Sequence, residues 1–253
     1  MKLSVLIPVF NEEDSVDPVV RRVAGMELSS LGAPVDLEII VVDDCSTDRT
    51  AAILARLTGA VPGLRVIQHG HNQGKGAGIR TALAAATGDY VIIQDGDFEY
   101  DPADIPRLLE PVVAGAAPVV YGARPLDGSG GRRVMDLGNR ALTVITNLLY
   151  GTRLHDMETC YKLLPTQLLR SLDLECSRFD MEPEITAKVT RSGYRIHEVP
   201  IHYNPRAGGK KLSARKDGLP ALMALLRYRN WKPKTPSAHR PARPQPSVPS
   251  PHA

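Results

Sequence analysis

The chain has 253 residues, enough for one α/β domain of ordinary size with a complete core. Hydrophobic content of 43% against 23% charged is the balance of a water-facing globular protein, and no apolar run approaches the ~20 residues that cross a bilayer. Net charge is +3 but unevenly spread: carboxylates gather in the first two-thirds, and the stretch from Arg206 onward is basic, which suits a phosphate-bearing or anionic-surface partner rather than nucleic acid.

Leu3 to Val9 reads as a buried strand, followed by Glu12, Glu13 and Asp14 as the first turn of a helix. Val16, Val19, Val20 and Val23 fall on one face of that helix. Glu38 to Val42 is a second buried strand with Asp43-Asp44 at its end. Ser46, Thr47 and Asp48 are expected to cap a helix carrying Ile53, Leu54 and Leu57. Leu64 to Gln68 gives a third strand, and the loop His71 to Gly78 leads into a helix over Ile79 to Ala86. That loop is G-x-G-x-G, neither a dinucleotide fingerprint nor a P-loop, so close packing explains it at least as well as phosphate contact.

Tyr90 to Ile93 is a short apolar strand that ends in Asp95, Asp97, Glu99 and Asp101. Carboxylates so close repel, so a cation among them is expected; Mg²⁺, which bridges carboxylates to substrate phosphates, is the simplest. The alternative is a solvated turn with Asp101 as N-cap of the helix opened by Pro102, which runs near Asp104 to Ala114. A strand at Pro118 to Tyr121 follows. This alternation predicts a doubly wound, mostly parallel sheet, whose ligands bind beyond the carboxyl ends of the strands. Topology thus places Asp43-Asp44 and Asp95-x-Asp97 at one crevice.

Pro125 to Arg133 reads as a polar loop, and Asp136 to Tyr150 as a helix with Leu142, Ile145, Leu148 and Leu149 on its apolar face. Cys160 to Leu164 is a strand, and Phe179 to Lys188 a loop-to-helix entry with Glu182 and Glu184 at a solvated start or an acceptor contact. Ile196 to Tyr203 is a strand interrupted by Pro200, which suits a sheet edge. A basic loop, Pro205 to Lys211, precedes a last helix over Asp217 to Arg229 whose Leu219, Leu222, Leu225 and Leu226 are expected to pack inward. Residues 231–253 are rich in proline and carry no acids, as expected of a disordered basic tail after a single domain over 1–230.

The segments LSVLIPVFNEE, IIVVDDCSTDRT, HNQGKGAG, QDGDFEYDP, DMETCYK, FDMEPEI and VPIHYNPRAGGKKL occur in this order. Together they resemble the family-2 glycosyltransferases of the GT-A fold, particularly the dolichol- or polyprenol-phosphate sugar synthases. The resemblance covers most of Met1 to about Arg229. It implies a nucleotide-binding half over 1–124 and an acceptor-side half over 125–230. Pro8, Phe10 and Glu12 would line the base pocket, with Val42 and Asp44 near base and ribose. Asp95, Gly96, Asp97 and Glu99 match the donor and metal site, with Asp95, Asp97 and Glu99 as ligands of Mg²⁺ or Mn²⁺. Arg124 would approach the donor sugar or its phosphates, and Arg206 with Lys211 (or Lys210) would close over the diphosphate.

The activity so implied is inverting transfer of a hexose from a UDP- or GDP-linked donor to a polyprenyl phosphate. A metal with Arg and Lys would stabilise charge developing on the leaving diphosphate. A phosphate acceptor needs little general-base help, whereas a hydroxyl needs a carboxylate, for which Asp156 and then Glu182 are the candidates. A saccharide, protein or metabolite acceptor is the nearest alternative, and a non-catalytic sugar-nucleotide-binding subunit is the reading from another class. Cys45, Cys160 and Cys176 form an odd set without metal-ligand spacing, and Met1 leads straight into a strand. The expectation is a cytoplasmic protein, peripheral at an anionic membrane or recruited by a membrane partner.

Overall fold

The computed structural model describes residues 1–125, 133–178, 180–205 and 214–234, with 133–135 and 214–217 described by backbone alone. Most of the Pro125 to Arg133 loop, Arg206, Lys210, Lys211 and the tail beyond 234 lie outside the described residues.

The first half is built on β1 (Lys2–Val9), whose side chains from Leu3 on are all buried. β2 (Asp36–Asp43) and β4 (Tyr90–Ile93) flank it in parallel, and β3 (Leu64–Gln68) lies parallel outside β2. Continuous apolar runs make these strands because both faces are covered by helices. The covering helices are α1 (Val16–Ala24), α2 (Thr50–Thr58), α3 (Lys75–Ala85) and α4 (Ile105–Val113). Val16, Val19, Val20 and Val23 of α1 are all buried, as their spacing predicts.

The second half adds β5 (Val120–Ala123), α5 (Arg133–Tyr150), β6 (Lys162–Pro165) and α6 (Thr166–Ser171), then α7 (Met181–Arg191), β7 (His197–Pro200) and α8 (Ala214–Arg227). Its strands extend the same sheet, in the order β3-β2-β1-β4-β6-β5-β7. β6 runs antiparallel to both neighbours, so the mostly parallel sheet is mixed where the halves join. β7 is at the edge, where Pro200 costs no interior ladder bond. The GT-A architecture expected from the resemblance is the one observed.

Several local expectations are corrected. α1 begins only at Val16, and the acids before it serve other elements. The Glu13 carboxylate accepts from Arg49 N at 3.0 Å and Arg49 Nε at 2.9 Å, at the head of α2. Of the three expected caps of α2, Asp48 reaches Thr50 N at 2.9 Å, whereas Ser46 and Thr47 bind Asn11 and so join the ends of β1 and β2. α3 begins at Lys75, so half of the glycine-rich loop is helix. α6 was not expected. The α5 and α8 stripes do not pack inward throughout: Leu225 is buried, but Leu148, Leu219 and Leu226 are exposed.

Candidate functional site

The carboxyl ends of β1, β2 and β4 lie side by side, and the candidate residues gather there. Asp44 is nearly sealed from solvent. Its carboxylate accepts from Gln73 N at 2.9 Å and Gly74 N at 2.7 Å, and pairs with His69 Nδ1 at 2.6 Å. Asp44 therefore fixes the loop ahead of α3. Val42 is wholly buried, and a Cβ on Gly78 would sit 3.1 Å from Pro8 Cβ and 3.9 Å from Val42 Cγ1. Pro8 and Val42 thus pack beneath the start of α3. Phe10 remains partly exposed. Glu12 is buried, and Ser15 Oγ stands 2.9 Å from its Oε2 and 2.8 Å from Gly96 O. Gly96 is required by contact: a Cβ there would lie 2.5 Å from Val9 Cγ1.

The alternate acids after β4 each take a partner of their own. Asp95 Oδ1 takes Lys75 Nζ at 2.8 Å, and the same ammonium reaches Glu182 Oε1 at 2.9 Å. Asp97 Oδ1 accepts from Glu99 N at 3.0 Å, and Glu99 Oε2 accepts from Tyr203 OH at 2.8 Å. Asp101 Oδ1 accepts from Ala103 N at 3.1 Å, the capping role foreseen for it. Among the described residues, no three His, Cys, Asp or Glu side chains converge as a metal cage. Asp95 and Asp97 share the strand end, and Glu99 Oε2 also ties in the segment after β7.

On the acceptor side, Arg124 and Asp156 form a bidentate pair, Nε to Oδ2 at 2.6 Å and Nη2 to Oδ1 at 2.8 Å. The guanidinium carbon also lies 5.2 Å from the Tyr203 ring centroid and 6.0 Å from that of Tyr100. Glu198 Oε1 accepts from Asp156 N at 3.0 Å and holds this turn. Glu184, for which a solvated helix start and an acceptor contact were both open, is wholly buried and pairs with Lys188 Nζ at 2.6 Å. Its two oxygens also accept from Glu175 N and Cys176 N, fixing the segment against which α3 begins.

Between these clusters lie Glu158, Thr159, Lys162 and Glu182. Burial, reinforced by the charge of Glu182, pushes the Glu158 carboxyl up to about 8. Burial likewise pulls Lys162 down to about 8 against the attraction of Glu182 and Glu158. Lys162 Nζ donates to Met157 O at 2.8 Å and lies 4.4 Å from the Tyr121 ring centroid. Burial also works against the charged form of Lys75, but Asp95, Cys160 and Glu182 hold it well above its ordinary value. Glu158 Oε1, Thr159 Oγ1 and Glu182 Oε2 are shielded from solvent and have no hydrogen-bond partner among the described residues. Such a group costs ~1–3 kcal/mol, and more when ionised.

Lys75, Glu158 and Lys162 therefore join the candidate residues, and the sequence pattern did not single them out. A lysine inside an apolar run, as in Tyr161-Lys162-Leu163-Leu164, is the signal that could have found Lys162. The glycines around Lys75 serve packing: a Cβ on Gly76 would meet Cys176 O at 2.5 Å.

The model of the family described as Glycosyl transferase family 2 matches residues 4–172. A dodecaprenyl-phosphate galacturonate synthase of Rhizobium johnstonii is 28% identical over 210 residues, covering 83% of this chain and 61% of that protein. The low-salt glycan biosynthesis hexosyltransferase Agl6 of Haloferax volcanii is 30% identical over 224 residues, covering 85% of this chain and 51% of its own. The chain thus spans about half to three-fifths of these relatives. An uncharacterized glycosyltransferase of Mycobacterium bovis is matched along 96% of its length at 27% identity, with 91% of this chain covered. Among solved structures, glucosyl-3-phosphoglycerate synthase from Mycobacterium tuberculosis aligns with a TM-score of 0.71 at 23% identity, over 90% of this chain and 80% of that one. The family match over most of the sheet, with the Asp95–Asp97 strand end inside it, means that this chain belongs to glycosyl transferase family 2.

Proposed function

We propose that the chain transfers a hexose, with inversion, from a UDP- or GDP-linked donor to a polyprenyl phosphate at a membrane surface. The observation that carries this reading is the Asp95–Lys75–Glu182 bridge. It joins the strand end expected to hold the donor diphosphate to the acceptor-side half. Two neighbouring carboxylates, Asp95 and Asp97, fit a divalent ion that takes its other ligands from substrate phosphates and water, as Mg²⁺ and Mn²⁺ do. The glucosyl-3-phosphoglycerate synthase was crystallised with Mn²⁺ and UDP, which supports the same choice here. Bound there, the ion would offset charge on the departing diphosphate. Arg124 is buried and pre-oriented by Asp156, so its charge is fixed before donor arrives.

Asp156 is poorly suited to be a general base, because Arg124 occupies both its oxygens. That favours an acceptor already ionised, such as a phosphate monoester. The galacturonate synthase relative acts, by its name, with dodecaprenyl phosphate. No described helix is long and apolar enough to cross a membrane. A bilayer could instead be met by the exposed apolar residues of α8, Leu219 at 63%, Met223 at 57% and Leu226 at 48% exposure.

A second reading keeps the donor and replaces the lipid with a phosphorylated metabolite bearing a hydroxyl, as the phosphoglycerate acceptor of the solved neighbour suggests. Incubation with UDP- and GDP-hexoses, Mn²⁺ and a mixed lipid extract separates the two. A labelled lipid product identified by mass supports the first reading. Release of UDP or GDP only with small acceptors replaces it with the second. Stoichiometric binding with no release under any condition leaves a binding subunit.

A further inference from the structure

Lys75 opens α3, and that first turn is seated on the backbone of residues 173–177. Gly76 N donates to Ser177 O at 2.9 Å, and Arg80 Nη2, one turn on, reaches Ser177 Oγ at 3.1 Å. The 173–177 segment is held in turn by α7. Glu184 accepts from Glu175 N at 2.9 Å and Cys176 N at 2.8 Å. Lys188 Nζ pairs with Glu184 at 2.6 Å and donates to Asp173 O at 2.8 Å. Lys188 is wholly buried, and two rings from the residues after α8 cover its ammonium: Tyr228, 4.4 Å to the centroid, and Trp231, 5.5 Å. Trp231 is fastened there by Arg191 Nε, which donates to Trp231 O at 3.1 Å.

We propose that Trp231 and Lys188 are positioning residues for donor binding, which act through Glu184 and the 173–177 segment to set Lys75 at Asp95. The inference rests on the donor reading given above, in which Asp95 stands where the diphosphate binds. A buried ammonium keeps its place only while its charge is fully met by neighbours. The ring faces supply part of that, and their attraction for a cation grows where water is excluded. Without Trp231, water reaches Lys188, and its hold on Glu184 and Asp173 O weakens as the local dielectric rises. Two further ion pairs meet at the same junction, Arg227 with Glu175 and Lys234 with Asp173, but both are exposed and screened, so they do not replace it. Glu184 then holds the amides of Glu175 and Cys176 less firmly, and the first turn of α3 loses the surface on which it is seated. Lys75 lies in that turn, 2.8 Å from Asp95, at a distance where a small displacement weakens the bond steeply.

The test is calorimetric titration of the full chain with UDP and with GDP in the presence of Mn²⁺. It is repeated on Trp231→Ala, Trp231→Phe, Lys75→Met and the double variant Trp231→Ala with Lys75→Met. Trp231→Ala is expected to weaken diphosphate binding about fivefold, and Trp231→Phe, which keeps a ring over Lys188, to stay within about twofold of the parent. In the Lys75→Met background the same Trp231→Ala change should alter affinity by less than about 1.5-fold, because both changes then remove one interaction. Hydrogen exchange gives a second measurement that needs no ligand: the amides of Gly76 and Ala77 should exchange about tenfold faster in Trp231→Ala. Should Trp231→Ala fail to fold, Trp231→Leu gives the same readouts, because it fills space without supplying a ring face. Parental affinity in Trp231→Ala, a loss undiminished in the Lys75→Met background, or unchanged exchange at Gly76 and Ala77 overturns this inference, while diphosphate binding by the parent upholds the donor reading. A parent that binds neither UDP nor GDP overturns the donor reading, and this inference with it.

Discussion

Arg124 and Asp156 are locked to each other by two parallel hydrogen bonds, with the carboxylate wholly buried and the guanidinium nearly so. Removing one member of such a pair strands the other charge in a low-dielectric site. Asp156→Asn should therefore lower stability by ~3–5 kcal/mol, read as a shift in the urea midpoint. An activity loss in this variant would then accompany the fold change, with donor affinity falling as Arg124 loses its orientation. A variant of parental stability whose turnover alone collapses by several orders of magnitude would make Asp156 the base after all.

Asp97 is expected to act in catalysis through its carboxylate, whose Oδ1 accepts from Glu99 N and which stands at the strand end with Asp95, and Asn keeps its shape and hydrogen-bonding capacity. Asp97→Asn should slow transfer by ~10²–10³, equivalent to ~2–4 kcal/mol of barrier. Turnover and melting temperature, measured across a Mg²⁺ and Mn²⁺ titration, check both halves of the statement. Near-parental turnover at any metal concentration would refute it.

Gly76 sits where a methyl group would press on the backbone carbonyl of Cys176, which cannot swing aside as a side chain could. Gly76→Ala should destabilise by ~1–3 kcal/mol despite the better helix propensity of alanine. A melting curve that is unchanged or raised would show that the 176–177 segment yields.

Glu158 gives a pH signature. Its folded value of about 8 lies above its ordinary 4.5, so between those values the folded state holds a proton that the unfolded chain has released. Stability from this group is thus full below pH 4.5 and lost as pH rises through 8. Lys162, lowered to about 8, acts in the opposite sense above that pH, where the folded state has released a proton the unfolded chain keeps. Glu158→Gln stays neutral at every pH, so its melting temperature should gain on the parent by roughly 7 °C between pH 5 and 8. Parallel curves for the two proteins would contradict the raised value.

Membrane docking is read from liposome co-sedimentation at low salt with anionic lipid. The apolar face of α8 predicts that Leu219→Glu with Met223→Glu weakens binding. Lys234 is held by Asp173, but Lys232, Arg240 and Arg243 would add about 1 kcal/mol each, so a chain ending at Trp231 should bind more weakly and with less salt dependence. Equal sedimentation of all three proteins would remove both features from membrane contact.

The strands of the first half were legible because a parallel strand covered on both faces must be continuously apolar, as Leu3–Val9 and Tyr90–Ile93 are. Alternation with helices then places Asp44, Asp95 and Asp97 at strand ends from sequence alone. The order of the motifs identified the family for the same reason: each marks a local turn or strand end. Which side chains meet was a different matter. Lys75 lies 107 residues from Glu182, and Arg124 lies 32 from Asp156, so neither pair leaves a local periodic trace. Likewise α8 carries leucines on several faces, and only its packing against α5 and α7 decides that Leu225 is core while Leu219 is surface. Sequence determines the elements and the chemistry at their ends through short-range sterics and hydrophobic period. Tertiary packing alone decided that Asp156 orients an arginine, that Glu99 bonds to Tyr203, and that Lys75 bridges Asp95 to Glu182, because burial and charge pairing depend on what the rest of the chain places nearby.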